Sequence, residues 1–260
     1  YDAAGRLIRR RDPRGSESHY SYDGYGNLVA TTNAMGATTR LFYNRDNQVT
    51  QVIDAAGAAS SYGYDKNGRL LRAQLPQSNV TSYAYDSKGR VLAITNALGY
   101  ARHFTYDVAG QLTEAVNERG QPIRFGYDAL GRLTAVTNEI GGVMRYAYDQ
   151  AGNLVETTDE NTNTTKAGYN EVHQLVATTN AVGGVVRYTY DANGRVRTLT
   201  DSRDNTVTYT YDSVGNLTLI TYPNSTTKAY EYDLAGRVTK VTDHAGNSEA
   251  YVYDEAGNPL

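Results

Sequence analysis

The stretch "YDLAGRVTKV" (residues 232–241) decides how this chain folds, because the chain keeps repeating it. It stands at residues 1–10 as "YDAAGRLIRR" and at 127–136 as "YDALGRLTAV". Self-similarity at a fixed period marks a repeat architecture, and the period here is 21 residues without slippage. Tyr occupies residues 1, 22, 43, 64, 85, 106, 127, 148, 169, 190, 211, 232 and 253, which makes twelve full repeats and an eight-residue stub at 253–260. Position 2 is Asp in eleven of the thirteen copies and Asn in two, Asn44 and Asn170. Position 5 is Gly in eleven, with Asn47 and His173 in the others. Position 7 is Leu or Val in all twelve full repeats, and position 20 is Tyr or Phe in ten, Leu41 and Ala167 excepted.

The punctuation of one unit predicts its shape. Asp at the first place of a turn and Gly at the fourth favour type I geometry, and a left-handed Gly closes a three-residue hairpin loop with a bulge. Asn and His are enriched among non-glycine residues at positive φ, so Asn47 and His173 suit the same slot. A second turn follows about ten residues on, as "TNAMG" (32–36), "TNALG" (95–99) and "TNAVG" (179–183). In "LPQSN" (75–79) and "YPNST" (222–226) Pro steers the turn instead. Stretches such as "LTAVT" (133–137) and "VVRYTY" (185–190) read as strands of about six residues, and no helical period competes with them. The fold class is therefore all-β: a spiral or solenoid strip of about 24 antiparallel strands, built from twelve 21-residue β-hairpin repeats and forming one domain over residues 1–260. At ~4.8 Å per strand the strip is roughly 115 Å long, and strand twist makes so many strands coil.

Register follows from the first turn. Position 1 faces position 7, so Tyr22 meets Leu28, and the preceding position 20 is expected to face position 9. Tyr20 and Tyr22 then share one face, while position 19 (Arg40, His103, Arg124, Arg145, Lys166, Arg187) lies on the other. In this register the second turn must enclose an even number of residues to keep the faces consistent. The repeat from Tyr148 is expected to be the softest, since "DENTNTTKAG" (159–168) lacks both the second-turn Gly and the position-20 aromatic.

Composition agrees with a thin wall. There are 24 Tyr against 3 Phe and no Trp, and mean hydropathy is −0.58, so apolar burial rests on tyrosine rings whose polar tips can stay wet. A net charge of −3 argues against nucleic acid, which leaves a basic footprint. Zero cysteines exclude a disulfide framework, and no apolar run reaches membrane-spanning length. The chain starts and stops inside its repeating phrase, as expected of a piece of a longer protein whose targeting segment lies elsewhere.

The phrase Tyr-Asp-x-x-Gly-Arg/Asn-Leu at 21-residue spacing resembles the RHS (rearrangement hot spot) or YD repeat, and the resemblance covers essentially the whole chain. Members include bacterial Rhs effectors, wall-associated polymorphic toxins, cocoon components of insecticidal toxin complexes, and animal teneurins. The resemblance implies a β-strip that spirals into a hollow shell, which in bacterial members encloses a C-terminal toxin or cargo domain of a secreted or cell-surface protein. It more loosely implies binding of cell-surface carbohydrate. The partners it implies are that cargo, the neighbouring RHS repeats and a glycan. The uniform, unbroken repeats point to a bacterial member rather than a teneurin. "DPRG" (12–15) looks like the self-cleavage motif of bacterial shells but occupies an ordinary second-turn slot, and is read as a turn.

Chemistry-bearing constellations are scarce. His19, His103, His173 and His244 fall at repeat positions 19, 19, 5 and 13 and make no ligand spacing. No Gly-x-Ser-x-Gly nucleophile motif is present. "DENTN" (159–163) opens like a calcium loop, but Thr164 stands where Gly is required. The Asp column (Asp2, Asp23, Asp65, Asp86 and successors) recurs too regularly for an active site and suits turn formation. The tyrosine columns could stack on sugar rings, yet a sheet poor in aliphatics needs them for cohesion. The expectation is a non-enzymatic structural wall with no catalytic residue, cofactor or metal, and the alternative is a carbohydrate-binding or adhesion module.

Overall fold

Each 21-residue phrase folds as one hairpin. The computed structural model describes residues 1–260, the side chain of Ser78 excepted. Among the described residues there are 24 strands, from Arg9–Arg11 to Ser248–Ala250, and the single helical element is the short 3₁₀ turn Pro76–Ser78. The chain divides into two compact units: Tyr1–Gly126 with Asn138–Ile140, and Tyr127–Thr137 with Gly141–Leu260. Within each unit every strand pairs antiparallel with its sequence neighbours, so each is an open meander of hairpins.

The first turns close as their residues dictate. Asp23 N–H donates to the Asn27 carbonyl at 2.9 Å and Gly26 N–H to the Asp23 carbonyl at 3.1 Å. Gly26 sits at φ 93°, where a side chain would be strained. Asn47 (φ 59°) and His173 (φ 62°) take the same left-handed conformation, as their types predicted. The second turns repeat the scheme, and where Gly is missing Thr162, Asp204 and Ser225 adopt positive φ themselves. A β-branched residue there costs about 1–2 kcal/mol, which makes Thr162 a weak point of the repeat from Tyr148.

Tyr22 lies opposite Leu28, as expected. The next expectation is off by one residue. Tyr20 faces Thr31, Tyr83 faces Ile94 and Tyr188 faces Leu199, all at position 10 instead of position 9. The cause is a second β-bulge: between Ser21 and Tyr22 the register shifts, so Val29 has no partner across the ladder. The same shift recurs at Thr105/Tyr106, Ala147/Tyr148 and Thr210/Tyr211. This extra residue displaces the side-chain alternation by one, and the second turn compensates. Thr32 pairs with Thr38, enclosing the odd segment 33–37 where an even one was expected. With one bulge and one odd turn per repeat, the tyrosines stay on one face within each unit.

That face carries positions 1, 7, 10, 18 and 20; the opposite face carries 9, 11, 17 and 19. In Glu17–Tyr22 the alternation is visible as half-buried Ser18, Tyr20 and Tyr22 between exposed His19 and Ser21. Arg40, His103, Arg124, Arg145, Lys166 and Arg187 are all exposed, as position 19 predicted. Among the described residues none is fully buried. Each unit is a single layer without a core, and its cohesion must lie between adjacent repeats.

Candidate functional site

The position-1 tyrosines supply that cohesion. Tyr22 Oη donates to the Leu7 carbonyl at 3.0 Å, and Tyr43, Tyr64, Tyr85 and Tyr106 repeat the bond 15 residues back along the chain. In the second unit Tyr148, Tyr169, Tyr190, Tyr211, Tyr232 and Tyr253 do the same, at 2.7–3.2 Å. The longest of these bonds, 3.2 Å, is that of Tyr169 in the expected soft region. Burial of the ring raises the pKa of Tyr43 and of Tyr232, keeping both hydroxyls protonated as donors. Each such bond contributes about 1 kcal/mol.

Position 6 adds a clamp. Arg90 Nε donates to Asp86 Oδ2 at 2.7 Å, its Nη1 reaches the Asp107 carbonyl of the next repeat at 3.2 Å, and its guanidinium lies 4.6 Å from the Tyr106 ring centre. Arg6, Arg69, Arg132, Arg195 and Arg237 make the same three contacts. A guanidinium over an aromatic face is worth about 0.5–1 kcal/mol at an exposed site. Where Arg is absent an amide substitutes: Asn27 Nδ2 donates to Asp23 Oδ2 at 3.0 Å and to Asn47 Oδ1 of the next repeat at 2.8 Å. Gln48 Nε2 reaches the Gly68 carbonyl at 2.8 Å.

The Asp column belongs to this clamp. Asp86 Oδ1 accepts the backbone N–H groups of Lys88 and Arg90, both at 2.9 Å. These bonds, the Arg90 backbone N–H foremost and then its guanidinium, hold the Asp86 carboxyl below its ordinary pKa. Asp2, Asp65, Asp128, Asp191 and Asp233 are lowered in the same way by Arg6, Arg69, Arg132, Arg195 and Arg237. Every oxygen of Asp86 is thus engaged in the turn and its ion pair.

The four histidines stay apart. His19 and His103 are exposed on the polar face, His173 shares a 3.0 Å contact with Asn153 Oδ1 in a first turn, and His244 sits in an exposed second turn. "DENTN" is a turn in which Asp159 accepts from Asn161 N–H (2.9 Å), Asn163 N–H (2.8 Å) and Asn163 Nδ2 (2.9 Å). "DPRG" is likewise a second turn, Asp12 N–H donating to Ser16 O at 2.9 Å. Among the described residues no group of three or more His, Asp or Glu gathers to hold a metal. No helix is long and apolar enough to cross a membrane.

Reading the repeat for turns and periodicity missed the roles of positions 6 and 10, although both left a trace. Position 6 is Arg, Asn or Gln in all thirteen copies, always a side-chain N–H donor. Position 10 is apolar in Val52, Ile94, Val136, Leu199, Ile220 and Val241, while position 9 holds Gln51, Arg72, Glu114, Glu156 and Lys240. Position 1 is never Phe, whereas position 20 tolerates Phe, Leu and Ala. The first column's hydroxyl recurs as a ladder donor in both units, which the second column's does not.

The family described as Teneurin YD-shell matches residues 42–146 and 133–260. The chain belongs to the YD-shell family. The family described as RHS Repeat matches residues 1–39 and 22–59 of this YD-shell chain. No curated relative matches the chain by sequence. Among solved structures, the crystal structure of TcdB2-TccC3-TEV is similar with a TM-score of 0.56 and 15% identity, covering 95% of this chain and 18% of that one. TcdB2-TccC3 without its hypervariable C-terminal region gives 0.53 and 17%, covering 100% of this chain and 20% of that one. TcdB2-TccC3 gives 0.51 and 17%, covering 98% and 20%. The YD-shell chain therefore spans about a fifth of the chains it resembles, and at these identities the likeness is one of fold.

Proposed function

We propose that this YD-shell chain is a wall segment, continuous over residues 1–260, of an RHS-repeat shell that encapsulates a C-terminal toxin or cargo domain in a secreted or delivered bacterial protein. The observation that carries the reading is where the repeated chemistry points. The position-1 hydroxyls, position-2 carboxylates and position-6 donors engage the same or the adjacent repeat, which is what a wall requires and what an enzyme site does not. The structure lacking the hypervariable C-terminal region aligns over the entire chain, so the likeness rests on the repeats and not on that region. The wall acts sterically, keeping its cargo from proteases and targets until release.

Limited proteolysis of the full-length protein tests this. The cargo is expected to survive while the wall is intact and to be digested when the repeats are removed. Equal digestion with and without the wall would contradict the proposal. The carbohydrate-binding expectation would show as a selective ligand on a glycan array, which a pure wall lacks.

A further inference from the structure

Almost every aromatic ring in the chain belongs to the two columns at positions 1 and 20. Four do not: Tyr25, Phe42, Tyr100 and Tyr222. Two of these four, Tyr25 and Phe42, line one open cavity of about 980 Å³ at the first-turn edge of the first unit. Phe42 stands at position 21, opposite Gln51 on the polar face, where the other full repeats carry Ser, Gly, Ala, Thr, Glu or Val. It is 44% exposed, and Tyr25, in the loop of its turn, is 88% exposed. A wall held together by tyrosine hydroxyls and arginine clamps needs neither ring.

Arg40 and Arg45 line the same cavity. Both are exposed, and among the described residues neither has a hydrogen-bond or ion-pair partner. The one carboxylate in the lining, that of Asp23, accepts from the Tyr25 and Asn27 N–H groups at 2.9 and 2.8 Å and from Asn27 Nδ2 at 3.0 Å, so it is engaged inside its own turn. Asn27 Nδ2 also donates to Asn47 Oδ1 at 2.8 Å. The lining therefore presents two free guanidinium groups together with two exposed rings. Free arginines by themselves recur at position 19. Arg145 and Arg187 are unpaired among the described residues too, but Ala147 and Thr189 stand two residues on, where Arg40 has Phe42.

A guanidinium takes a carboxylate through charge-assisted, often bidentate hydrogen bonds. With no free acid in the lining to compete, two guanidinium groups give the cavity a positive field. Phe42 and Tyr25, with Val29 and Ala30 in the same lining, add apolar contact. Tyr, Phe and Arg are the side chains enriched where proteins bind one another. A sugar needs acceptors for its hydroxyl protons, and those of Asp23 and Asn47 are already taken.

We propose that this cavity is a docking site for an acidic peptide segment of a partner protein, its carboxylates on Arg40 and Arg45 and an apolar side chain against Phe42 and Tyr25. The site goes beyond the wall reading and does not depend on it.

The repeat itself supplies substitutions compatible with folding. Position 19 is Ser in Ser61 and Ser82, position 21 is Ala in Ala84 and Ala147, and position 3 is Gln in Gln150. The chain and its Arg40→Ser, Phe42→Ala and Arg45→Gln variants, each checked for unchanged circular dichroism, are titrated into the dye-labelled peptide Glu-Glu-Phe-Glu-Glu and followed by fluorescence anisotropy. The parent is expected to bind the peptide, each variant to bind it about tenfold more weakly or worse, and added salt to weaken binding. Arg187→Ser, on the polar face of the second unit, should leave the affinity unchanged. No binding by the parent, or variants indistinguishable from it, would overturn the proposal. So would equal affinity for Gln-Gln-Phe-Gln-Gln, which lacks the charge, or for Glu-Glu-Ala-Glu-Glu, which lacks the ring. A loss at Arg187→Ser as large as that at Arg40→Ser would mean diffuse attraction of anions and overturn it as well.

Discussion

Tyr83 and Tyr85 stand two residues apart on one strand, with rings on the same face, and differ in the use of one oxygen. The Tyr85 hydroxyl donates to the Leu70 carbonyl at 2.8 Å, whereas among the described residues that of Tyr83 has no partner. Tyr85→Phe is therefore expected to cost about 1 kcal/mol, and Tyr83→Phe to stay within about 0.5 kcal/mol of the parent, as read by urea unfolding. Equal costs would show that the hydroxyl ladder does not hold the repeats together. The carboxylates make a second residue-level prediction. Because the folded state lowers the pKa of Asp2, Asp65, Asp86, Asp128, Asp191 and Asp233 below the ordinary 3.8, their contribution is complete above that value and is lost as pH falls through the folded values. The urea midpoint should hold between about pH 7 and about pH 5 and drop below about pH 4. Asp86→Asn should be less stable at neutral pH and converge with the parent in acid; a constant gap at all pH values would mean that the charge is irrelevant.

At the scale of the element, the hairpin was legible and its register was not. Asp-x-x-Gly, the second-turn "TNAxG" and the β-rich stretches between them specify both turns and strands, because turn chemistry is local. The bulge at position 8 is a property of two strands together, and counting parity along one strand cannot reveal it. The apolar column at position 10 could have done so, since a residue facing Tyr20 across the ladder must suit the tyrosine face. The Arg90 clamp was hidden for a similar reason: its reach to the Asp107 carbonyl spans 17 residues of sequence and exists only once adjacent hairpins are stacked. Deleting residues 190–210, one 21-residue period, should leave a folded β-protein with unchanged circular dichroism per residue. Deleting residues 190–209 instead puts the faces out of step and should unfold or aggregate the chain. If both deletions behave alike, the register does not govern folding.

For the whole molecule, the uniform period was enough to place the chain in its family, since the match extends over most of its length. The proposed function was less legible because a wall would leave no reactive constellation to find; what supports it is chemistry turned toward neighbouring repeats, and that required coordinates. The most direct test of the account is an electron-microscopy reconstruction of the full-length protein. The account predicts these repeats as part of a closed wall, with the mass of the cargo domain inside it. A cargo domain seen as a separate lobe outside the repeats would contradict it.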